Sequence, residues 1–196
     1  CDTSFNTEMT VIEALAAASL QNGTLHKIIL MVEMGDMREG IMPEDLHAFA
    51  QNVVGMEGVE LRGMAANYAC MSGVCPSEQT MRSFSELATT VEQVCGPFME
   101  TVSGGNSANL PWALGPGSNG RVNNLRLGEA ILLGIDPVSG EQIGGLFTDA
   151  FSMITEVIET KNIVKTAFDE GNFKPFLDIN SGELVNWFKE SYLDLF

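Results

Sequence analysis

Positive charge is scarce in this chain. Ten Lys and Arg stand against 26 Asp and Glu in 196 residues, a formal net charge of −16. Such a field repels nucleic acid and anionic membrane surfaces, so neither is an expected partner, and its ordinary role is solubility. Long apolar runs are missing as well: no stretch of about 18 apolar residues is present to form a transmembrane helix. The opening residues, Cys1-Asp2-Thr3-Ser4-Phe5-Asn6, lack the basic and apolar regions of a signal peptide. Cysteine is sparse and badly spaced for metal. Cys70 and Cys75 lie five apart with no histidine nearby, and Cys1 and Cys95 are remote, so no metal site is expected. A reduced, cytoplasmic setting is the expectation. The phosphate-loop pattern G-x-x-x-x-G-K-[ST] is absent, which weighs against nucleotide binding.

What is present is alternation, in a chain that is 45% hydrophobic and large enough for a core. Residues 2–6 read as a strand stub. Val11, Ile12, Leu15, Ala16 and Leu20 recur at helical spacing and predict a helix over 8–20, capped by Thr7 or Thr10. Residues 26–34 are continuously apolar at their centre, as a strand buried on both faces should be. A turn over 35–40 follows. A second helix is predicted over 43–54, with Pro43 in its first turn and Leu46, Phe49, Ala50 and Val53 inward. Then come a strand over 59–65 and a polar, small-residue loop over 66–76. A third helix is predicted over 77–94, with Met81, Phe84, Leu87, Val91 and Val94 inward, stopped by Cys95-Gly96. A strand over 98–102, a glycine loop, a short helix over 110–114 and a strand over 121–127 complete the series. This order implies an α/β fold of parallel strands with right-handed crossovers. Residues 136–145 are rich in turns, and 146–159 fit helix or strand equally. The chain changes character at 161, so residues 1–160 are expected to form one α/β unit. Residues 161–196 are expected to be a divergent tail ending in an amphipathic helix (Leu184, Val185, Phe188, Tyr192, Leu195).

The candidate loops all fall at C-terminal ends of strands, where α/β folds place their sites. In Val102-Ser103-Gly104-Gly105-Asn106-Ser107, two glycines free the backbone to curl, and serines and an asparagine supply donors. Such a loop turns several N–H groups toward one anion. Asn124-Leu125-Arg126-Leu127-Gly128-Glu129 puts a permanent cation two residues before a glycine. Alone, the first is a tight turn and the second a surface ion pair. In combination they are the phosphate cradle and positioned arginine that a phosphorylated cofactor needs.

Motifs in order carry a resemblance. His26 to Gly40, with the sequence HKIILMVEMGDMREG, resembles the fifth strand and loop of the alanine racemase N-terminal-domain family, in its ornithine racemase-like branch. Gly63-Met64-Ala65-Ala66-Asn67-Tyr68-Ala69-Cys70 and the residues to Pro76 resemble the next strand and loop. Ser103-Gly104-Gly105-Asn106-Ser107 and Leu125-Arg126-Leu127-Gly128-Glu129-Ala130 resemble the last two, and Asp2 to Glu8 the fourth. The likeness runs over roughly residues 2–160.

The resemblance implies part of a pyridoxal 5'-phosphate (PLP)-binding (β/α)8 TIM barrel, roughly strands 4 or 5 to 8. It implies an isomerase that interconverts L- and D-amino acids by removing and returning the Cα proton, and a homodimer in the full-length protein. Carried over to this sequence, Ser103, Gly104, Gly105, Asn106, Ser107 and the amides of Gly128 and Glu129 form the phosphate side. Arg126 faces the pyridine nitrogen, Arg38 lies near the ring or its anchors, and Asn67 lies near the ring face. Arg38 alternatively pairs with Glu33, Asp36 or Glu39. Cys70 is either a small buried filler or a base on the second face, since racemisation needs an acid/base on each side. The family's Schiff-base lysine lies near the end of the first barrel strand. None of Lys27, Lys161, Lys165, Lys174 or Lys189 matches it. The chain is therefore expected to be an inactive fragment of a racemase; the alternative is a non-catalytic PLP- or phosphate-binding remnant or scaffold module.

Overall fold

The computed structural model describes residues 1–69 and 74–152. Cys70, the tail helix and the boundary expected after residue 160 lie outside the described residues. A first unit covers Cys1–Ala150.

Four strands, β1 (Thr3–Asn6), β2 (His26–Val32), β3 (Val59–Ala66) and β4 (Thr101–Ser103), form one sheet in the order β1-β2-β3-β4. Every neighbouring pair is parallel. Helices α1 (Met9–Gln21), α2 (Leu46–Val54) and α3 (Glu78–Cys95) fill the three crossovers. The apolar run of β2 is covered on both sides, as its composition demands. Ile28, Leu30 and Val32 enter the main core with Ile12, Leu46 and Phe84. Alternate residues Ile29 and Met31 join Ala65 in a second cluster. Gly63 has no alternative: a Cβ there would lie 2.1 Å from the carbonyl oxygen of Thr101 on β4.

The helices are held mainly by what they bury. α1 has Glu8 at its N-cap with no side-chain capping bond, so neither Thr7 nor Thr10 caps it. Burying one Ile is worth about 2 kcal/mol, against about 1 kcal/mol for a cap. Its buried row is Ile12, Ala16 and Ser19; Val11 and Leu20 of the expected stripe are exposed. The core-facing row follows i, i+4, i+7, and those two residues sit to either side of it. α2 starts at Leu46 instead of residue 43, because the Asp45 N–H closes a turn onto the Met42 carbonyl (3.0 Å) first.

α3 is the amphipathic helix expected, buried along Met81, Phe84, Ala88 and Val91, with Val94 outside. Ser77 caps it by a reciprocal box with Thr80. Ser77→Ala is expected to cost about 1 kcal/mol, lowering Tm by about 2–4 °C in a calorimetric scan.

Two expected strands shrink. β4 is Thr101–Ser103 rather than 98–102: the Met99 N–H is taken by Glu92 Oε1 of α3 (2.7 Å), and Phe98 is exposed. The strand expected over 121–127 reduces to one parallel bridge, Ser103 to Asn124. Backbone bonds continue the pairing, starting with the Asn123 N–H to the Val102 carbonyl (3.0 Å), and side chains reinforce it. Asn123 accepts from the Val102 N–H (2.9 Å) and donates to the Glu100 carbonyl (2.7 Å). Arg121 is held by α3 through a two-pronged pair with Glu92 (2.5 and 2.6 Å). The short helix α4 (Leu110–Leu114) falls where expected. The apolar run that ends at Gly134 is the helix α5 (Glu129–Leu133), with Gly134 left-handed at φ 69°.

Candidate functional site

The glycine loop and the Arg126 segment meet at the C-terminal end of the sheet. The Gly104 N–H donates to the Asn124 carbonyl and the Arg126 N–H to the Gly105 carbonyl, both at 2.9 Å. The Ser107 hydroxyl accepts from the Gly128 and Ala130 N–H groups at 3.2 and 3.1 Å. The Ser103–Ser107 loop therefore runs alongside the segment from Asn124 to Ala130, with Ser107 bonded to the amides of Gly128 and Ala130.

Two glycines in this corner have opposite surroundings. Gly105 has φ 135°, and a Cβ on it would fall 2.0 Å from Asn109 Oδ1. That oxygen is engaged, accepting from the Asn106 N–H (3.1 Å). Asn106 also donates from Nδ2 to the Tyr68 carbonyl (2.8 Å), tying the loop to the end of β3. A Cβ on Gly128 would meet nothing within 4 Å, so the backbone there is open to approach.

Arg126 is the hub. Nη1 donates to Ser103 Oγ (2.5 Å), and Nη2 donates to the Ala66 carbonyl (3.0 Å) and to Asn67 Oδ1. The fully buried Ser103 hydroxyl donates in turn to Asn124 Oδ1 (2.6 Å). The guanidinium stands 5.0 Å over the Phe5 ring. Burial pulls its pKa below the ordinary arginine value, with the Glu39 charge pushing back up. It nonetheless remains a cation, since guanidinium does not deprotonate in proteins.

Asn67 touches the arginine rather than standing apart from it. Its Nδ2 donates to Glu39 Oε1 (2.6 Å). Arg38 reaches Glu39 as well, from Nε to Oε2 at 2.5 Å and from Nη2 to Oε1 at 3.0 Å, and lies 3.6 Å from Asp36. Arg38 thus pairs with Glu39 and Asp36, both among the partners the sequence offers it. The Glu39 carboxyl is held below the usual carboxylate range, by Arg38 first, then by Asn67 and Arg126, against an opposing effect of burial.

Sequence reasoning missed Glu39, Asn124 and Phe5 as members of this cluster. Glu39 and Asn124 sit beside named residues in the loops, but no spacing rule ties them across strands. The spacing G-x-G-x-x-G does occur, at Gly115-Pro116-Gly117-Ser118-Asn119-Gly120. It follows α4 rather than a strand and opens no helix, so it lacks the setting of a dinucleotide loop. Among the described residues, no group of three or more His, Cys, Asp or Glu is placed to hold a metal. No described helix is long and apolar enough to cross a membrane.

The corner gathers hydroxyls, a permanent cation and backbone amides beside an open glycine, with the Gly128 and Ala130 amides turned onto Ser107 Oγ. These suit a phosphorylated, heterocyclic ligand.

The family model described as alanine racemase, N-terminal domain, matches residues 7–137. The ornithine racemase of Acetoanaerobium sticklandii is 31% identical over 162 residues, covering 82% of this chain and 46% of that protein. The lysine racemase of Thermotoga maritima is 34% identical over 139 residues, covering 69% and 37%. The chain thus spans less than half the length of these curated relatives. Among solved structures, the alanine racemase of Clostridium difficile 630 in complex with cycloserine matches with TM-score 0.56 at 18% identity, covering 77% of this chain and 39% of that one. The alanine racemase of a D-cycloserine-producing Streptomyces lavendulae matches with TM-score 0.55 at 21% identity, covering 69% and 35%. The fold is that of alanine racemase barrels.

Proposed function

The chain belongs to the alanine racemase N-terminal-domain family, and from that premise we propose that it forms the phosphate and ring-nitrogen side of a PLP site in an amino-acid racemase. The observation that carries this reading is the Arg126 guanidinium, clamped between Ser103 and Asn67 beside the Ser103–Ser107 loop. In it, β1–β4 and the Arg126 segment belong to the second half of the barrel, within a cofactor-binding part over residues 1–160. The holoprotein is a cytoplasmic homodimer acting on a free amino acid.

Bound here, PLP supplies an electron sink that acidifies the substrate Cα–H. Ser107, the backbone around Gly105 and Asn106, and the Gly128 and Glu129 amides hold the phosphate. Arg126 would face the ring nitrogen and, keeping its own proton, would leave that nitrogen largely unprotonated. That favours return of the proton over transamination or decarboxylation. Arg38 and Asn67 would stand near the ring, and Cys70 is either a small buried filler or the base on the second face. Among the described residues Lys27 is the one lysine, and it lies at the opposite end of β2, away from the site.

The test is a PLP titration of the full chain, followed by ring fluorescence, beside Ser107→Ala. Wild type is expected to bind saturably. The variant loses an acceptor for two amides that orders the cradle, and is expected to bind about tenfold more weakly. Equal affinity in both would remove Ser107 from the phosphate site, and no saturable binding by wild type would remove the cofactor reading.

A further inference from the structure

We propose that Glu39 is a positioning residue that fixes the plane of the Arg126 guanidinium by orienting the Asn67 amide between them. Its consequence for the ring nitrogen rests on the reading of Arg126 given above.

The argument is one of donors and acceptors. A guanidinium can only donate, and an ionised carboxylate can only accept. Asn67 lies between one of each, with Oδ1 on Arg126 Nη2 and Nδ2 2.6 Å from Glu39 Oε1. Turning the amide over would set its NH2 against the guanidinium and its carbonyl against the carboxylate, losing both bonds and making two repulsive contacts. Glu39 therefore decides which end of Asn67 faces the arginine. Arg38 clamps Glu39 from the other side, at 2.5 and 3.0 Å. On the far arm, Arg126 Nη1 rests on Ser103 Oγ (2.5 Å), itself directed by Asn124 Oδ1 (2.6 Å). One relay, Glu39–Asn67–Arg126–Ser103–Asn124, thus joins the ends of β2, β3 and β4. Both terminal nitrogens are anchored separately, and Phe5 lies under the plane at 5.0 Å. Glu39 is 33% exposed and outside every strand and helix, so replacing it leaves the hydrophobic core intact.

The experiment reads the arginine directly. In full chain labelled with 15N-arginine, NMR is expected to resolve slow rotation of the Arg126 guanidinium. In Glu39→Ala it is expected to rotate about tenfold faster, the scale of one charge-assisted hydrogen bond, in a protein that still melts cooperatively. Asn67→Asp sets two carboxylates face to face and is expected to weaken PLP binding about tenfold in the same titration. The double variant Glu39→Gln/Asn67→Asp restores the donor–acceptor alternation and is expected to recover most of it. Guanidinium rotation as slow in Glu39→Ala as in wild type, or a double variant no better than Asn67→Asp alone, would overturn the proposal. If wild type takes up no PLP, the cofactor reading falls, and the rotation rates still decide the role of Glu39.

Discussion

Arg126→Glu is expected to divert a share of turnovers in the PLP-loaded, full-length protein from racemisation to transamination. A carboxylate in that place favours a protonated ring nitrogen, because an opposite charge at close range raises the pKa of a cationic group by about one to three units. One unit is a tenfold change in the protonated fraction, so the ratio of keto acid to inverted amino acid should rise about tenfold or more. Chiral chromatography of the products measures that ratio. The substitution also sets a carboxylate against Asn67 Oδ1 and near Glu39, and strips the bonds to Ser103 and the Ala66 carbonyl. Stability should fall by about 1–3 kcal/mol per buried group left unpaired. Arg126→Lys separates the two effects. It keeps a cation at the site while losing the fork, so it should lose stability without the shift in products. An unchanged product ratio in a folded, PLP-loaded Arg126→Glu protein would refute the assignment of Arg126 to the ring nitrogen.

Gly105→Ala should be the most damaging single methyl group in the described residues of the site. At φ 135° a side chain is strained whatever the space, which costs about 1–3 kcal/mol. The space is also filled, with Asn109 Oδ1 2.0 Å from the new Cβ. Asn109 is fully buried and fixed at its other end, since Nδ2 donates to Met81 Sδ at 3.2 Å. It has no easy retreat, so the loop must move instead. Tm should drop by about 5–10 °C, and saturable PLP binding should disappear. Gly128→Ala is the contrast: its Cβ meets nothing within 4 Å, and Tm should stay within about 1–2 °C of wild type. A Gly105→Ala protein that melts and binds PLP like wild type would show that this loop does not hold the phosphate.

The alternation of strands and helices was legible because burial on two faces or one leaves a period in the sequence. β2 and β3 show it in HKIILMV and VELRGMAA. α3 shows it in its Met81–Phe84–Val91 row and in the Ser77 cap. What failed was whatever side chains settle in place of periodicity. Glu92 takes the Met99 N–H, so no strand starts at 98, and the Asn123 side chain supplements the few backbone bonds that 121–127 makes. Neither act leaves a pattern along the chain. The loops were legible for a different reason. Gly104-Gly105 and the Arg126-Leu127-Gly128 triplet are short motifs whose meaning comes from their order, and the likeness to a known family rests on that order. Glu39 was invisible as a member of the cluster, because its importance lies in Asn67, 28 residues on and one strand over.

Phe5 belongs to the first strand of the sheet and Arg126 follows the last, yet the guanidinium lies on the ring. Across a flat sheet, β1 and the Arg126 segment, which pairs beyond β4 at Asn124, would stand four interstrand spacings apart, about 19 Å. For one side chain from beyond β4 to lie over β1, the four strands must bend toward each other like the staves of a cask, with Arg126 as a tie rod across the hollow. The same residue that meets the ligand therefore records how tightly the wall is rolled, and shortening it should let the wall relax outward as well as changing the chemistry.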